Sequence, residues 1–430
     1  MHRIFWLFIL LLVAGPAIPA RAEIEIRAPG QQAIPLAVTL FLPLDQPRPE
    51  VAAEVNAALT GDLDLSGLFA LTDPAAFLGD AGKLGLVSID VDFGQWRLLG
   101  AEAVVKGAYS VRGEELVLEA RLFDVVGRRL LTGRRYVGRV KDARRMAHAF
   151  ADQILASLTG EEGPFNTRIA YIDNRSGHKE LYLMDVDGGN AVRLTDHRSL
   201  VLNPDFSPVG KEVIFTSYRR GNPDLYRKEI YSGQEARISS RQGLNAAARF
   251  RSDGKAIALT MSRDGNAEIY QIDTGGKIEK RLTQSWGIDV DPSWSPDGRS
   301  FAFVSDRQGN PQVFVADVDG GNVRRLVREG KYNATPAWSP KGDLIAFSRL
   351  EKGVFDIYTI APDGSDERRL TFGAGNKEHP RWSADGRFLV YSSDQDGKKA
   401  IYVMRADGSG SRRISPAGGE SSHPAWSPRW

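Results

Sequence analysis

The residues of this sequence that are best suited to acid–base or metal chemistry recur at a fixed spacing and form no compact motif. His379 and His423 lie 44 residues apart, and each stands three residues before a tryptophan. Asp291 occupies the same position in another copy of the pattern, and Asp289 precedes it by two residues. Histidine and aspartate are frequent general acids, general bases and metal ligands. Since all four residues belong to repeated segments, catalysis has to be weighed against recognition on a surface that the repeats build.

The motifs that usually accompany such residues in enzymes are absent from the sequence. There is no Gly-x-Ser-x-Gly around a serine nucleophile, no Gly-Lys followed by serine or threonine, and no His-Glu-x-x-His. The chain also has no cysteine, which excludes disulfides, a thiolate nucleophile and cysteine metal sites. We therefore expect no catalytic residue, no cofactor and no metal site.

The first 22 residues have the features of a secretory signal peptide. Arg3 is followed by a short apolar run at 4–13, and Ala-Arg-Ala precedes Glu23 as a cleavage site. Removal of this segment would take away Arg3 and Arg21 and lower the count of lysine and arginine from 56 to 54, against 54 acidic residues. A chain of zero formal charge predicts no nucleic-acid partner. No later apolar run reaches 18 residues, which predicts no direct membrane insertion.

A repeat of 44 residues provides the elements that position the histidines and aspartates. Each copy contains four short strand-like segments separated by turn formers such as Asp-Gly and Gly-Asn, which suit tight hairpins. Four antiparallel strands in about 44 residues are typical of one blade of a β-propeller. The aromatic anchor of the repeat stands at Phe206, Phe250, Trp294, Trp338, Trp382 and Trp426. The turn glycine stands at Gly210, Gly254, Gly298, Gly342 and Gly386.

The ends of the repeat predict how the propeller closes. Residues 166–196 contain a blade without its first strand, and 422–430 contain a first strand without its blade. We therefore predict a six-bladed β-propeller over 166–430 in which the last strand completes the first blade. The aromatic anchors are expected to pack between adjacent blades, because a side chain that every copy repeats serves the scaffold.

Residues 23–160 lack the repeat and predict a small N-terminal α/β domain, joined to the propeller by a short linker at 161–165. Predicted strands span 34–42, 101–109, 116–123 and 129–136, and predicted helices span 50–59 and 142–158. Asp142 and Gly160 are the expected N-cap and stop of the last helix. His148 falls on the polar face of that helix, and we expect it to be solvated.

The positions three and five residues before each anchor vary widely, while the anchor is always phenylalanine or tryptophan. They should begin the innermost strands and ring one mouth of the channel, where polar variation on a constant scaffold is typical of a binding surface. A catalytic or metal-binding role for the same residues is the weaker alternative. The candidate contact residues are Asn203, Asn245, Ala247, Asp289, Asp291, Asn333, Thr335, Lys377, Glu378, His379 and His423.

The chain resembles the TolB family, periplasmic proteins of the Tol-Pal envelope system of Gram-negative bacteria. The resemblance is carried by WRLLGAEAVVKGAYS (96–110), LFDVVGRRLLTGRRYVG (122–138), LTGEEGPFNTRIAYI (158–172) and the six repeats. It implies a periplasmic scaffold without enzymatic activity that maintains outer-membrane integrity and helps constriction during cell division. One departure is Ala248, which stands where most other copies carry proline.

The resemblance also implies two partners. The lipoprotein Pal would bind the propeller mouth, and the inner-membrane protein TolA would bind the N-terminal segment. The implied TolA segment comprises Glu23, Ile24, Glu25, Ile26 and Arg27. We expect a monomer, and the alternative function is a periplasmic propeller hydrolase or lyase.

Overall fold

The repeat forms six four-stranded sheets in the computed structural model of the chain, which describes residues 33–209 and 211–429. A small α/β domain precedes them, so the predicted fold is confirmed. The predicted signal peptide, the segment Glu23–Arg27 and Gly210 lie outside the described residues.

The N-terminal domain is one mixed sheet with helices on both faces. Its strands follow the order β3-β1-β4-β5-β6, with β1 parallel to both neighbours and β4, β5 and β6 antiparallel. The strands are β1 (Ile34–Val38), β2 (Leu42–Pro43), β3 (Phe69–Leu71), β4 (Ala103–Arg112), β5 (Glu115–Asp124) and β6 (Arg129–Arg139). The helices are α1 (Pro49–Ser66), α2 (Phe93–Leu98) and α3 (Ala143–Thr159).

Local sequence sets the limits of the long helices. Helix α1 starts at Pro49, where the missing N–H of proline costs nothing, and extends beyond the predicted 50–59 until Gly67 caps it at a φ of 68°. Gly160 caps α3 at a φ of 76°, as the sequence predicts. The carboxylate of Asp142 accepts the backbone N–H of Arg139 and makes no N-cap bond to α3. Helix α2 was not predicted.

Each propeller blade contributes one innermost strand to the central channel. The innermost strands are β10 (Val201–Phe206), β14 (Asn245–Phe250), β18 (Asp289–Trp294), β22 (Asn333–Trp338), β26 (Lys377–Trp382) and β30 (Ser421–Trp426). The second strands are β7 (Arg168–Asp173), β11 (Glu212–Ser217), β15 (Ala256–Met261), β19 (Ser300–Ser305), β23 (Ile345–Glu351) and β27 (Phe388–Ser393). The third strands are β8 (Glu180–Asp185), β12 (Asp224–Glu229), β16 (Glu268–Asp273), β20 (Gln312–Asp317), β24 (Val354–Ile360) and β28 (Ala400–Arg405). The outer strands are β9 (Val192–Arg193), β13 (Glu235–Ser239), β17 (Ile278–Arg281), β21 (Arg324–Arg325), β25 (Arg368–Arg369) and β29 (Arg412–Arg413).

The ring closes by strand pairing between its two ends. Strand β30 pairs antiparallel with β7, and Trp426 lies opposite Ile169. The last strand therefore completes the first blade, as predicted, and leaves no innermost strand unpaired at the junction.

The aromatic anchors join neighbouring blades. The indole Nε1 of Trp382 donates to the carbonyl oxygen of Ala337 in the preceding blade at 2.9 Å, and Trp294 makes the equivalent bond to Arg249 at 3.2 Å. Both indoles are almost fully buried. The predicted packing between blades is present, and it includes a polar contact that the repeat did not predict.

The N-terminal domain packs beside one mouth of the channel. Every blade has the same order of antiparallel strands. The innermost strands therefore all begin at one mouth of the channel, here called the distal mouth, and all end at the other, the proximal mouth. The backbone carbonyl oxygen of Leu65 in α1 accepts from Arg405 Nε at 3.0 Å at the proximal end of a blade. Phe165 of the linker is buried against Phe388, with ring centroids 5.9 Å apart. One apolar cluster runs from the helices into the blades, which holds the two domains at a defined angle.

Candidate functional site

A β-bulge in every innermost strand shapes the distal mouth. The register with the second strand shifts at the same place in all six blades. The bulged residue adopts a left-handed conformation, with φ between 49° and 57°. Alanine and threonine seldom adopt this conformation, and a non-glycine residue held there costs on the order of 1 kcal/mol or more. The bulged residues are Asn203, Ala247, Asp291, Thr335, His379 and His423, all of which were predicted contact residues.

The two histidines of this ring lie against each other. Their ring centroids are 4.0 Å apart, and each Nδ1 is within hydrogen-bonding distance of a serine hydroxyl. Burial lowers the pKa of His379 to about 4, and burial together with His379 lowers that of His423 well below its usual range. Both rings are therefore neutral at physiological pH. Among the described residues, no third metal-ligating side chain joins the pair.

Asp291 lies two positions before His379 in the ring, with Thr335 between them. Burial raises its pKa, and the nearby guanidinium of Arg249 opposes that effect. Thr335 Oγ1 is 2.9 Å from Ser348 Oγ, so its hydroxyl is held against the blade. The bulged ring thus presents partly buried, fixed side chains, which suit recognition better than proton transfer.

Four of the predicted contact residues point into the blades instead, and the expectation that they present side chains at the mouth is corrected. They are Asn245, Asp289, Asn333 and Lys377, and all are buried. Each lies at the first residue of its innermost strand, where the side chain reaches the junction between blades. Burial of polar groups requires partners, and the variation at this position reflects which partner the preceding blade supplies.

The partners of these buried side chains are specific to each junction. Asn333 Nδ2 donates to Gln312 Oε1 at 2.6 Å, and Lys377 Nζ lies 3.4 Å from a carboxylate oxygen of Asp356. Lys377 also donates to three backbone carbonyl oxygens in the loop before its strand. Asn245 Oδ1 accepts from Ser239 Oγ at 2.5 Å. These residues support the rim from inside.

The remaining predicted contact residue, Glu378, is partly exposed and accepts from Lys399 Nζ at 2.6 Å. It lies between the buried Lys377 and the bulged His379. Its carboxylate is therefore already paired, and any group that binds it at the rim would compete with Lys399.

An arc of exposed apolar side chains surrounds half of the distal mouth and was not predicted. It lies in three successive loops that lead into β18, β22 and β26. Among the described residues, the other three such loops expose no large apolar side chain. The arc comprises Trp286, Ile288, Tyr332 and Phe372, with 78%, 49%, 38% and 68% of their surfaces exposed. The available signal was an aromatic residue at three loop positions where no other copy of the repeat carries an aromatic residue.

A second concentration of charge lies between the domains. His148 is buried, not solvated as predicted, because α3 packs its polar face against α1 and the propeller. Its Nδ1 is 2.6 Å from Asp62 Oδ2, and its Nε2 is 3.4 Å from Asp187 Oδ2. Burial disfavours the imidazolium, but these carboxylates outweigh it and raise the pKa of His148 to about 9. The protonated ring is a cationic link between the two domains.

The geometry of this cluster also brings His148, Asp185 and Asp187 within ligating distance of one point. Arg168 Nε lies 3.0 Å from Asp185, and Arg144 pairs with Asp187. Two guanidinium groups and an imidazolium already balance the carboxylates, so the charge favours an ion-pair network over a divalent cation.

Within the described part of the chain, none of the helices combines the length and the apolar composition that crossing a bilayer requires.

The comparisons with known proteins agree with this architecture. The model of the TolB amino-terminal domain matches residues 22–131, and that of the TolB beta propeller domain matches residues 155–430. The Tol-Pal system protein TolB of Syntrophotalea carbinolica is 65% identical over 213 residues, which is 49% of each chain. That of Geobacter metallireducens is 49% identical over 220 residues, again 49% of each. The alignments thus span about half the length of these curated relatives.

A solved structure extends the likeness to nearly the whole chain. The crystal structure of TolB from Acinetobacter baumannii is 27% identical, has a TM-score of 0.80, and is matched over 93% of this chain and 97% of that one. The propeller model alone covers more than half of the sequence. With both domains matched in the order in which they occur here, the chain belongs to the TolB family.

Proposed function

We propose that this chain is a periplasmic scaffold of the Tol-Pal system, without enzymatic activity, whose distal mouth binds the lipoprotein Pal. The observation that carries the proposal is the exposed apolar arc beside the bulged ring. Exposed aromatic side chains around a fixed polar centre are the usual composition of a protein-binding hot spot. The names of the curated relatives, Tol-Pal system protein TolB, support the same assignment.

The proposed binding mode places partner apolar groups on the arc and hydrogen-bonding groups on the ring. Trp286 and Phe372 are the main apolar contacts, because they are the most exposed members of the arc. His379 and Asp291 lie at the centre, where their conformation is fixed before binding. A site fixed before binding loses little entropy when the partner docks.

Calorimetric titration of the mature chain with the soluble domain of Pal tests this proposal. We expect the double variant Trp286→Ala and Phe372→Ala to bind at least tenfold more weakly, since a truncated hot-spot residue costs about 2 kcal/mol or more. Ile89→Ala is the control, because Ile89 is an apolar residue of the N-terminal domain that is 92% exposed. Unchanged affinity of the double variant would place the Pal site elsewhere.

We further propose that Glu23, Ile24, Glu25, Ile26 and Arg27 bind TolA, coupling the two membranes for outer-membrane integrity and constriction during division. The alternation of polar and apolar residues in this segment suits addition of a strand to a partner sheet. A mature chain without residues 23–32 should no longer bind TolA but should bind Pal with unchanged affinity. Loss of both interactions would contradict two separate sites.

A further inference from the structure

The proximal mouth opens into a cavity of about 330 Å³ on the propeller axis, remote from the proposed Pal surface. All six blades contribute to its walls, each through the end of its innermost strand and the turn that follows. The aromatic anchors and the prolines of the turns form an apolar rim. The volume is within the range of small-molecule sites, which are mostly apolar and contain a few converging polar groups.

The polar groups in this cavity are dominated by two arginines from opposite sides of the ring. Arg249 lies on β14 and Arg381 on β26, three blades away in a ring of six, and both line the cavity. Both arginines occupy the position that immediately precedes the aromatic anchor of the blade. Around the ring these residues are Asp205, Arg249, Ser293, Ala337, Arg381 and Ala425.

The two arginines differ in how their charge is balanced. Arg249 has Asp205 in one neighbouring blade and Asp291 in the other, and its charge opposes the effect of burial on the pKa of both carboxyls. Arg381 has Ala337 and Ala425 at the matching positions of its neighbouring blades. Among the described residues, no carboxylate lies within ion-pair distance of either arginine, and Arg381 differs in having alanine at both matching positions.

The guanidinium of Arg381 is also short of hydrogen-bond partners. Its Nη1 donates to the carbonyl oxygen of Pro380 at 2.8 Å. Its Nε is buried and has no partner among the described residues. A buried donor without a partner is costly, and here it belongs to a charged side chain that is otherwise partly exposed to the cavity. The position therefore suits a ligand that brings both acceptors and negative charge.

We propose that this cavity binds a small oxyanion, a carboxylate or a phosphate, with Arg381 as its principal contact and Arg249 as the opposing cation. A planar guanidinium presents paired N–H groups that match the two oxygens of a carboxylate or phosphate. The apolar rim excludes water and strengthens the charge-assisted bonds. The oxyanion comes either from a free small molecule or from the carboxyl end of a peptide that enters the channel.

Calorimetry on the mature chain tests the proposal, with citrate and inorganic phosphate as probes in buffers of equal ionic strength. We expect saturable binding, and a higher melting temperature than in isoionic sodium chloride. Arg381→Gln should weaken binding at least tenfold, and Arg381→Lys should bind with intermediate affinity because it keeps the charge without the planar geometry. Arg251→Gln is the matched control, since Arg251 lies at the same mouth but does not line the cavity.

A second arm identifies the source of the oxyanion. A short glycine–serine peptide with a free terminal carboxylate is compared with the same peptide amidated at its C-terminus. Tighter binding of the free-acid peptide than of citrate and phosphate assigns the site to a chain end, and the reverse order assigns it to a free small anion.

Two results would overturn the proposal. One is the absence of saturable binding of every probe up to about 10 mM, a concentration that covers weak sites. The other is equal binding by the Arg381→Gln and Arg251→Gln variants, which would assign the heat to non-specific ion effects. If Arg381→Gln fails to fold, the comparison of Arg381→Lys with the control decides the question.

Discussion

The two mouths of the propeller channel are built from the same six strands but use their residues in opposite ways. At the proximal mouth, where the strands end, an aromatic anchor recurs in every blade and joins it to the blade before. At the distal mouth, where the strands begin, no residue type occurs in all six blades. The constant aromatic anchors hold neighbouring blades together, and the variable residues determine which chemical groups the distal mouth presents.

The backbone is repeated at both mouths, even where the side chains are not. The left-handed bulge at the distal mouth holds alanine, asparagine, aspartate, threonine and histidine at nearly the same φ. None of these residue types requires that conformation, so the strand pairing on either side must impose it. The propeller therefore supplies six fixed positions whose side chains can change without a change of scaffold.

The largest expected effect separates the mouths by stability. Trp382→Ala removes an indole that is almost fully buried and its bond to the preceding blade, so the free energy of unfolding should fall by about 3–5 kcal/mol. Trp286→Ala removes an indole of the same size that is 78% exposed at the distal mouth, and should change stability by less than about 0.5 kcal/mol. Chemical denaturation of both variants measures the difference. Similar losses would show that the two mouths do not divide stability and recognition.

The next effect concerns the N-terminal domain, which packs against the proximal side of the propeller. His148→Gln leaves Asp62 buried without its cationic partner and should lower stability at pH 7 by roughly 2–4 kcal/mol. The pKa of His148 is raised to about 9, so its contribution is complete below pH 6.5 and is lost as the pH rises through 9. The difference between wild type and variant should therefore shrink between pH 7 and pH 10.

Denaturation series across that pH range measure this effect, with His178→Gln as the control because His178 is an exposed propeller histidine. A constant difference between wild type and His148→Gln at every pH would refute a charged link. Loss of stability in the control would point to a general effect of histidine replacement.

Repetition made much of this fold predictable. The 44-residue spacing of Trp294 and Trp382 predicts the blades, their number and the role of the indoles, because a regular period leaves few alternatives. The missing first strand before 166 and the extra strand after 422 predict the closure. Turn chemistry predicts Gly298 and Gly386, which have φ values of 67° and 69°.

The site was less predictable because burial is decided between elements that are distant in sequence. His148 lies on the polar face of its helix, yet Asp187, from a hairpin of the propeller, packs against it in the folded protein. Lys377 varies like a surface residue, yet its partner Asp356 lies in the preceding blade. Variation within a repeat identifies positions that the common scaffold does not constrain. It does not distinguish an exposed contact residue from a buried residue whose partner occurs at one blade junction only.

The smallest expected effect concerns two neighbouring acidic side chains, Asp289 and Glu268, at one junction between blades near the distal mouth. Where the next junction pairs Gln312 with Asn333, this one places the carboxyl of Asp289 near that of Glu268. Burial raises the pKa of Asp289 to about 6, with Glu268 adding to the shift and Arg307, at 2.6 Å, opposing it. One carboxylate oxygen of Asp289 has no hydrogen-bond partner among the described residues.

Asp289→Asn should therefore stabilise the protein at pH 7.5 by on the order of 1 kcal/mol, and the gain should depend on pH. The folded carboxyl keeps its proton up to about pH 6, whereas the unfolded one loses it near pH 4, so this residue lowers stability as the pH rises between those values. The advantage of the variant should consequently vanish toward pH 4 and be constant above pH 7. Asp90→Asn, which removes an exposed carboxylate from the N-terminal domain, controls for net charge. A gain of equal size in both variants, or one that persists at pH 4, would mean that the acidic pair carries no strain and that the distal rim tolerates Asp289 as easily as its neighbours tolerate asparagine.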